Sequence, residues 1–259
     1  MSVAEASGYT VWVAAPMRTL VIIPVLNEER TLTRVLDQVC ASLPGSDVLV
    51  VDDGSTDRSP EILAARGDVR TIRHAQNLGY GQSLITGFAQ AVDGGYDVAV
   101  TLDCDEQHEP ARLPEFLAAV AGADIVSGSR YLDPTMPGDP APPDRAQLNR
   151  EFTGHLRAIT GFDITDAWCG FKAYRTGALA LLELTEPSYG MPLQVWVQAA
   201  YHRLTVRELP VARIYKNPER KFWGGLDDMP ARRTYYLGVL EAEVARWLPE
   251  KLGLFRVAR

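Results

Sequence analysis

The chain has 259 residues, 46% hydrophobic and 23% charged, the make-up of a folded globular protein rather than a disordered, collagen-like or disulfide-stapled one. Acidic side chains outnumber basic ones 33 to 26, a net charge of −7, so no global positive field exists to hold a nucleic-acid backbone, and nucleic acid is set aside as a partner. The three cysteines, Cys40, Cys104 and Cys169, form no C-x-x-C pair, which argues against a zinc site and for a reducing, cytoplasmic setting; no apolar run reaches the ~20 residues of a membrane-spanning helix.

The first sixteen residues lack the basic start and apolar stretch of a signal peptide. They read as an extension, residues 1–17, ahead of a domain covering 18–222. Within that domain Thr19 to Pro24, Asp47 to Val51, Val69 to Ile72, Val98 to Leu102 and Asp124 to Ser127 are nearly continuous in Val, Ile and Leu and predict buried strands. Glu28 to Ser42, Ser59 to Ala65, Gly81 to Val92 and Ala111 to Ala121 predict the helices between them. Repeated strand, helix, strand implies an α/β fold, a mostly parallel sheet covered on both faces, with ligands at the carboxyl ends of the strands.

Asp133 to Asp144 holds five prolines and predicts a loop suited to act as a lid. A helix follows over Arg145 to Ile159, then a strand, helix, strand pattern to Val211. The last helix, Ala231 to Leu248, carries Leu237, Leu240, Val244 and Trp247 on one face. From Arg232 to Arg259 six basic residues stand against three acidic ones, so this segment, 223–259, is expected either to pack on the domain or to rest on a membrane surface.

The predicted strand ends carry the polar chemistry. Strand one ends in Pro24-Val25-Leu26-Asn27-Glu28, strand two in Asp52-Asp53-Gly54-Ser55, and the fourth in Asp103-Cys104-Asp105-Glu106-Gln107. Carboxylates converging on one edge repel unless a cation or hydrogen-bond donors neutralise them. Asp103, Asp105 and Gln107 alternate by two, so in an extended segment their hard oxygens face one side, and magnesium or manganese is the matching ion. Asn77 and the glycines Gly79 and Gly81 place small residues where a backbone can approach a ligand. His74 and His108 are solitary and receive no role.

Taken in order, PVLNE, VDDGSTD, NLGYGQS, LDCDEQHEP and GSRY resemble the family-2 inverting glycosyltransferases of GT-A fold, and within them the dolichyl- or polyprenyl-phosphate mannose synthase type, from Arg18 to about Lys221. The resemblance implies a Rossmann-like three-layer sandwich and a nucleotide diphosphate sugar as donor, GDP-mannose favoured and a UDP-sugar the alternative. It implies that Pro24, Leu26, Glu28, Asp52, Asp53, Asn77, Gly79 and Cys104 surround the nucleotide sugar, while Asp103, Asp105 and Gln107 hold Mg2+ or Mn2+ and the diphosphate. Arg130, Arg145, Asn149, Asp166 and Gly170-Phe171-Lys172 fall on the acceptor side. The chain departs from the pattern in two places. Gln194 stands where such enzymes carry a Glu, fourteen residues ahead of Glu208 of E-x-P, and Lys216 to Phe222, with Arg220 and Lys221, replaces the usual G-E-S-K segment.

A hydroxyl acceptor needs a general base, and Asp166 is the candidate. An anionic phosphate acceptor needs cations instead, here Arg130, Arg145, Lys172, Lys216, Arg220 and Lys221. The expectation is therefore inverting transfer of a hexose to a polyprenyl phosphate, with a soluble hydroxyl compound as the alternative acceptor. A peripheral contact with the inner face of the membrane and self-association are left open as further partners.

Overall fold

Thr19–Val25 (β1) is apolar on both faces of its pleat. Val21, Ile23 and Val25 enter one core and Leu20 and Ile22 another, so the strand lies mid-sheet with a layer on either side. The computed structural model describes residues 17–216, 222 and 224–257, together with the backbone pairing of Glu5–Ala6 with Tyr9–Thr10. The rest of the N-terminal extension, Arg220 and Lys221 lie outside the described residues.

In chain order the domain continues through Leu32–Ser42 (α1), Asp47–Asp52 (β2), Ser59–Ala64 (α2), Arg70–Arg73 (β3), Tyr80–Asp93 (α3), Val98–Thr101 (β4), Leu113–Val120 (α4), Ile125–Ser129 (β5), Pro143–Thr160 (α5), Lys172–Arg175 (β6), Thr176–Leu179 (α6), Met191–Tyr201 (α7), Val206–Pro210 (β7), Met229–Trp247 (α8) and Leu252–Val257 (α9). The seven strands are ordered β3-β2-β1-β4-β6-β5-β7. β6 alone among them runs antiparallel to its neighbours. The sheet is thus mostly parallel, and the expected strands are present. β3 differs in being an edge strand with largely exposed side chains, because Arg70-Thr71-Ile72-Arg73 supplies one apolar residue where a buried strand needs several.

α1 and α4 cover one face, with Val35, Leu36, Val39, Phe116 and Val120 against β1, β2 and β4. α3, α6 and α7 cover the other, with Leu84, Phe88, Leu179 and Val195. A third core joins α5, α7 and α8 through Phe152, Leu156, Trp196, Tyr236, Leu240 and Val244. The predicted stripe of α8 is spent there: Leu237, Leu240 and Val244 are buried, each worth about 1.5–3 kcal/mol of burial, so α8 has no apolar face left for a bilayer. Its cations are answered as well, Arg232 by Asp144, Arg233 by Glu151 and Arg246 by Glu183. Among the described residues no helix is long and apolar enough to cross a membrane.

The proline-rich segment is tied down. Asp139 donates from its amide to Arg213 O at 2.6 Å and accepts from the Tyr215 amide at 2.7 Å, and Gly138 bridges to Arg213. Fixed φ at the prolines and these pairings make a braced rim.

Candidate active site

The loops after β1 and β2 are knitted together. Asn27 takes a left-handed φ of 57°, and its Oδ1 accepts from the amides of Thr56 and Asp57 at 2.8 and 3.2 Å. Its own amide donates to Ser55 Oγ at 2.9 Å, and that of Glu28 to Ser59 Oγ at 2.9 Å. This is why α1 begins at Leu32 rather than at Glu28. Of the two aspartates ending β2, Asp52 is fully buried, accepts from the Ser55 amide at 2.9 Å and pairs with Arg73 Nε at 3.2 Å. It faces away from the cleft that Asp53 lines. Asp53 accepts from the amides of Leu78 and Gly79 at 2.8 Å each and meets His74 Nδ1 at 2.7 Å, while His74 Nε2 lies 3.0 Å from Thr86 Oγ1. Gly79 has φ 109°, and a Cβ there would stand 2.2 Å from Pro187 O, so this approach of the Leu78–Gly79 backbone to Asp53 requires glycine.

The third loop is not extended as expected. β4 stops at Thr101, and Glu106 adopts a φ of 61°, turning the segment so that Asp103, Asp105 and Gln107 line the cleft from a bend. Tyr80 Oη donates to Asp103 Oδ1 at 3.0 Å, and His108 Nε2 lies 3.0 Å from Asp103 Oδ2. Burial alone would lower the His108 pKa; contact with Asp103 and Cys169 overcomes it and pushes it up to about 10. Burial and the neighbouring Asp103 hold the Tyr80 phenol well above its ordinary range. Glu106 pairs with Arg34 at 2.8 Å and Lys216 at 3.6 Å. The converging carboxylates are thus answered partly by protein donors, including two histidines that sequence spacing did not single out.

The opposite wall is basic. Arg130 forks onto Asp166, Nε to Oδ2 at 2.7 Å and Nη2 to Oδ1 at 2.9 Å. Burial works against the Asp166 carboxylate, but Arg130 and backbone amides hold its pKa below the ordinary range. Glu208, whose carboxyl is raised by burial against the hydrogen bonds of Thr165, sits behind this pair. Asn149 Oδ1 accepts from the Ala167 amide at 3.2 Å. Lys172 is buried, donates to Cys169 O and lies 5.3 Å from the Trp196 ring; burial lowers its pKa. Arg145 and Arg232 lie over the Phe222 ring at 4.8 and 4.3 Å. Trp168 stacks on Tyr236 at 4.3 Å, and its indole nitrogen, though buried, makes no hydrogen bond to the described residues.

These walls enclose a cleft of about 1300 Å³. Pro24, Leu26, Glu28, Asp53, Asn77, Gly79, Asp103, Cys104, Asp105 and Gln107 line one side and Arg130, Arg145, Asn149 and Lys172 the other, with Lys216 reaching across to Glu106. Among the described residues the lining carboxylates are Glu28, Asp53, Asp103, Asp105 and Glu106, all from the loops after β1, β2 and β4, where Arg30 and Arg34 also stand. Asp52, Asp166 and Gln194 do not line it. Gln194 accepts from the amides of Thr185 and Glu186 at 2.9 and 2.8 Å and donates to Glu243 at 2.6 Å, inside the packing of α7 on α8.

Residues 20–182 match the model of the family described as glycosyl transferase family 2. The chain belongs to that family. It is a glycosyltransferase, and its sheet, with helices on both faces, is the Rossmann-like GT-A architecture. It is 32% identical over 251 residues to the undecaprenyl-phosphate mannosyltransferase of Micrococcus luteus, across 92% of this chain and 100% of that protein. It is 32% identical over 206 residues to the polyprenol monophosphomannose synthase of Mycolicibacterium smegmatis, across 75% and 76% of the two chains. Among solved structures, glucosyl-3-phosphoglycerate synthase from Mycobacterium tuberculosis in complex with uridine diphosphate superposes with a TM-score of 0.68 at 22% identity, over 88% of this chain and 80% of that one. That likeness establishes the fold.

Proposed function

We propose that this family-2 glycosyltransferase moves a hexose, mannose, from GDP-mannose to a polyprenyl phosphate, with inversion at the anomeric carbon. The observation that carries this reading is the division of charge across the cleft. Carboxylates gather on the β1, β2 and β4 side, where Arg30, Arg34 and Lys216 stand among them, while Arg130, Arg145, Lys172 and Arg232 line the other, where no carboxylate is exposed to the cleft among the described residues. A hydroxyl acceptor would need a base on that wall. Asp166 is buried in its pair with Arg130 and stands off the cleft surface. A phosphate acceptor arrives anionic and needs cations to hold and aim it. The aromatic rings of Tyr215, Phe222, Trp168 and Tyr236 among these cations suit the isoprenoid next to the phosphate. The names of the Micrococcus and Mycolicibacterium relatives support the same acceptor and sugar.

In this reading Pro24, Leu26, Glu28 and Asp53 surround the nucleoside, and Asn77 and Gly79 shape the floor beside it. An acceptor phosphate oxygen, oriented by Arg130 and Arg145, attacks the anomeric carbon as its bond to the diphosphate oxygen breaks, and the nucleoside diphosphate leaves. The donor set of Asp103, Asp105 and Gln107 offers the hard oxygens that Mg2+ or Mn2+ takes; among the described residues no group of three His, Cys, Asp or Glu is placed to hold an ion unaided, so substrate phosphates would complete its coordination. When bound, such an ion offsets the charge on the departing diphosphate. The isoprenoid tail places the reaction at a membrane surface, which the enzyme meets peripherally.

The reading is tested by single-turnover transfer from GDP-mannose and UDP-glucose, with Mn2+ or with chelator, to a short-chain polyprenyl phosphate. Metal-dependent formation of the inverted mannosyl phosphodiester supports it. Chelator-resistant transfer, retention, or use of UDP-glucose alone contradicts the corresponding part.

A further inference from the structure

Behind the basic wall, the carboxylate of Glu208 on β7 grips the turn that carries Asp166. It accepts from the Thr165 amide at 3.0 and 2.9 Å, from Thr165 Oγ1 at 2.6 Å and from the Asp166 amide at 3.1 Å. The Thr165 hydroxyl also lies 2.6 Å from Ser129 Oγ, which accepts from the Tyr131 amide at 3.2 Å. Asp166 Oδ2 accepts from the Arg130 amide at 3.2 Å as well as from its guanidinium. Arg130 is therefore fixed at its own backbone, at its side chain and through both chain neighbours, and every one of these ties runs to the turn held by Glu208.

Glu208 itself does not line the cleft. As a mere link between β7 and the turn it would be a poor choice, because two neighbouring buried carboxylates disfavour each other's charge and a well-packed apolar pair can stabilise as much. What the arrangement supplies is direction. Arg130 engages Asp166 with Nε and Nη2, and Nη1 makes no hydrogen bond among the described residues, on a side chain that lines the cleft. A guanidinium has five N–H donors in a rigid fork, so fixing two of its nitrogens sets where the rest present themselves.

We propose that Glu208 is a positioning residue for glycosyl transfer, holding Arg130 through Thr165 and Asp166 in the orientation that receives the anionic acceptor; the proposal rests on the acceptor reading given above. The test is a double-mutant cycle of Glu208→Gln and Arg130→Ala, with KM for a short-chain polyprenyl phosphate, GDP binding and Tm measured for each protein. Glu208→Gln is expected to raise the acceptor KM about 10-fold, as a small misplacement of an orienting group does, with GDP affinity unchanged. In the Arg130→Ala background it is expected to add nothing. Full additivity in the cycle, or equal losses of GDP and acceptor binding, overturns the relay. An Arg130→Ala enzyme with unchanged acceptor KM overturns the acceptor reading itself, and the relay with it. Should Glu208→Gln not fold, Thr165→Val, which removes one tie and keeps both backbone amides, is put through the same cycle with the same expectation.

Discussion

Asp166 and Arg130 are joined by two side-chain hydrogen bonds, at 2.7 and 2.9 Å, with Asp166 wholly buried and Arg130 at the cleft wall. The pair converts a residue expected as a candidate base into a clamp. Asp166→Asn removes the charge opposite Arg130; since Arg130 keeps some solvent contact, the loss is expected at about 2–3 kcal/mol, a fall in Tm of about 4–12 °C. The sign with pH follows from the depressed carboxyl: its contribution is present above the ordinary carboxylate range and is lost as pH falls through the lower folded-state pKa. The stability gap between wild type and Asp166→Asn should therefore close as pH falls below that range, measured by chemical unfolding at successive pH values.

Asp105→Ala is expected to abolish metal-dependent transfer while leaving the fold intact, because Asp105 lies in a bend at the cleft edge and takes no part in a core. Circular dichroism checks the fold, and titration of Mn2+ in the presence of GDP checks the site. Wild-type turnover in the variant would remove the ion from this loop.

Gly79→Ala drives a Cβ to 2.2 Å from Pro187 O at a φ of 109°. Both the strain and the clash oppose it, so a loss above ~1 kcal/mol is expected. Because the Gly79 amide donates to Asp53, GDP affinity should fall with it. A thermal melt with and without GDP reads both effects.

Gln194→Glu restores the residue usual in the resembling enzymes, yet it should gain no activity. Gln194 donates to Glu243 at 2.6 Å in a buried setting, and a carboxylate there would face another carboxylate. The expected result is a loss of about 1–3 kcal/mol with kcat per folded molecule unchanged. A rise in activity toward alcohols would instead show that this position reaches the acceptor.

The strand ends were legible in the sequence because a buried parallel strand must be apolar along its length and the polar residues that follow must emerge at one edge. That logic brought Glu28, Asp53, Asp103 and Asp105 together. It could not separate Asp52 from Asp53, whose opposite directions depend on which neighbour supplies a donor, Arg73 in one case and His74 in the other. His108 reads as solitary in the sequence because its partner, Asp103, meets it across a bend set by the left-handed Glu106, and a two-residue alternation presumes there is no bend. The distance of Gln194 from Glu208 along the chain does not say which face of α7 it occupies, and that face packs on α8. The C-terminal stripe is apolar in the sequence alone; that it buries against α5 and α7 is a tertiary fact. The prolines of the 133–144 segment said loop, but the pinning of Gly138 and Asp139 to Arg213 joins residues far apart in sequence.

The charge-divided cleft is tested most directly by competition between a short-chain polyprenyl phosphate and the corresponding alcohol for mannose from GDP-mannose, in wild type and Arg145→Ala. The account predicts that wild type glycosylates the phosphate almost exclusively, and that Arg145→Ala raises the phosphate KM at least about 10-fold with GDP affinity unchanged. Preferential transfer to the alcohol, with Arg145→Ala indifferent and Asp166→Asn inactive though folded, would contradict it.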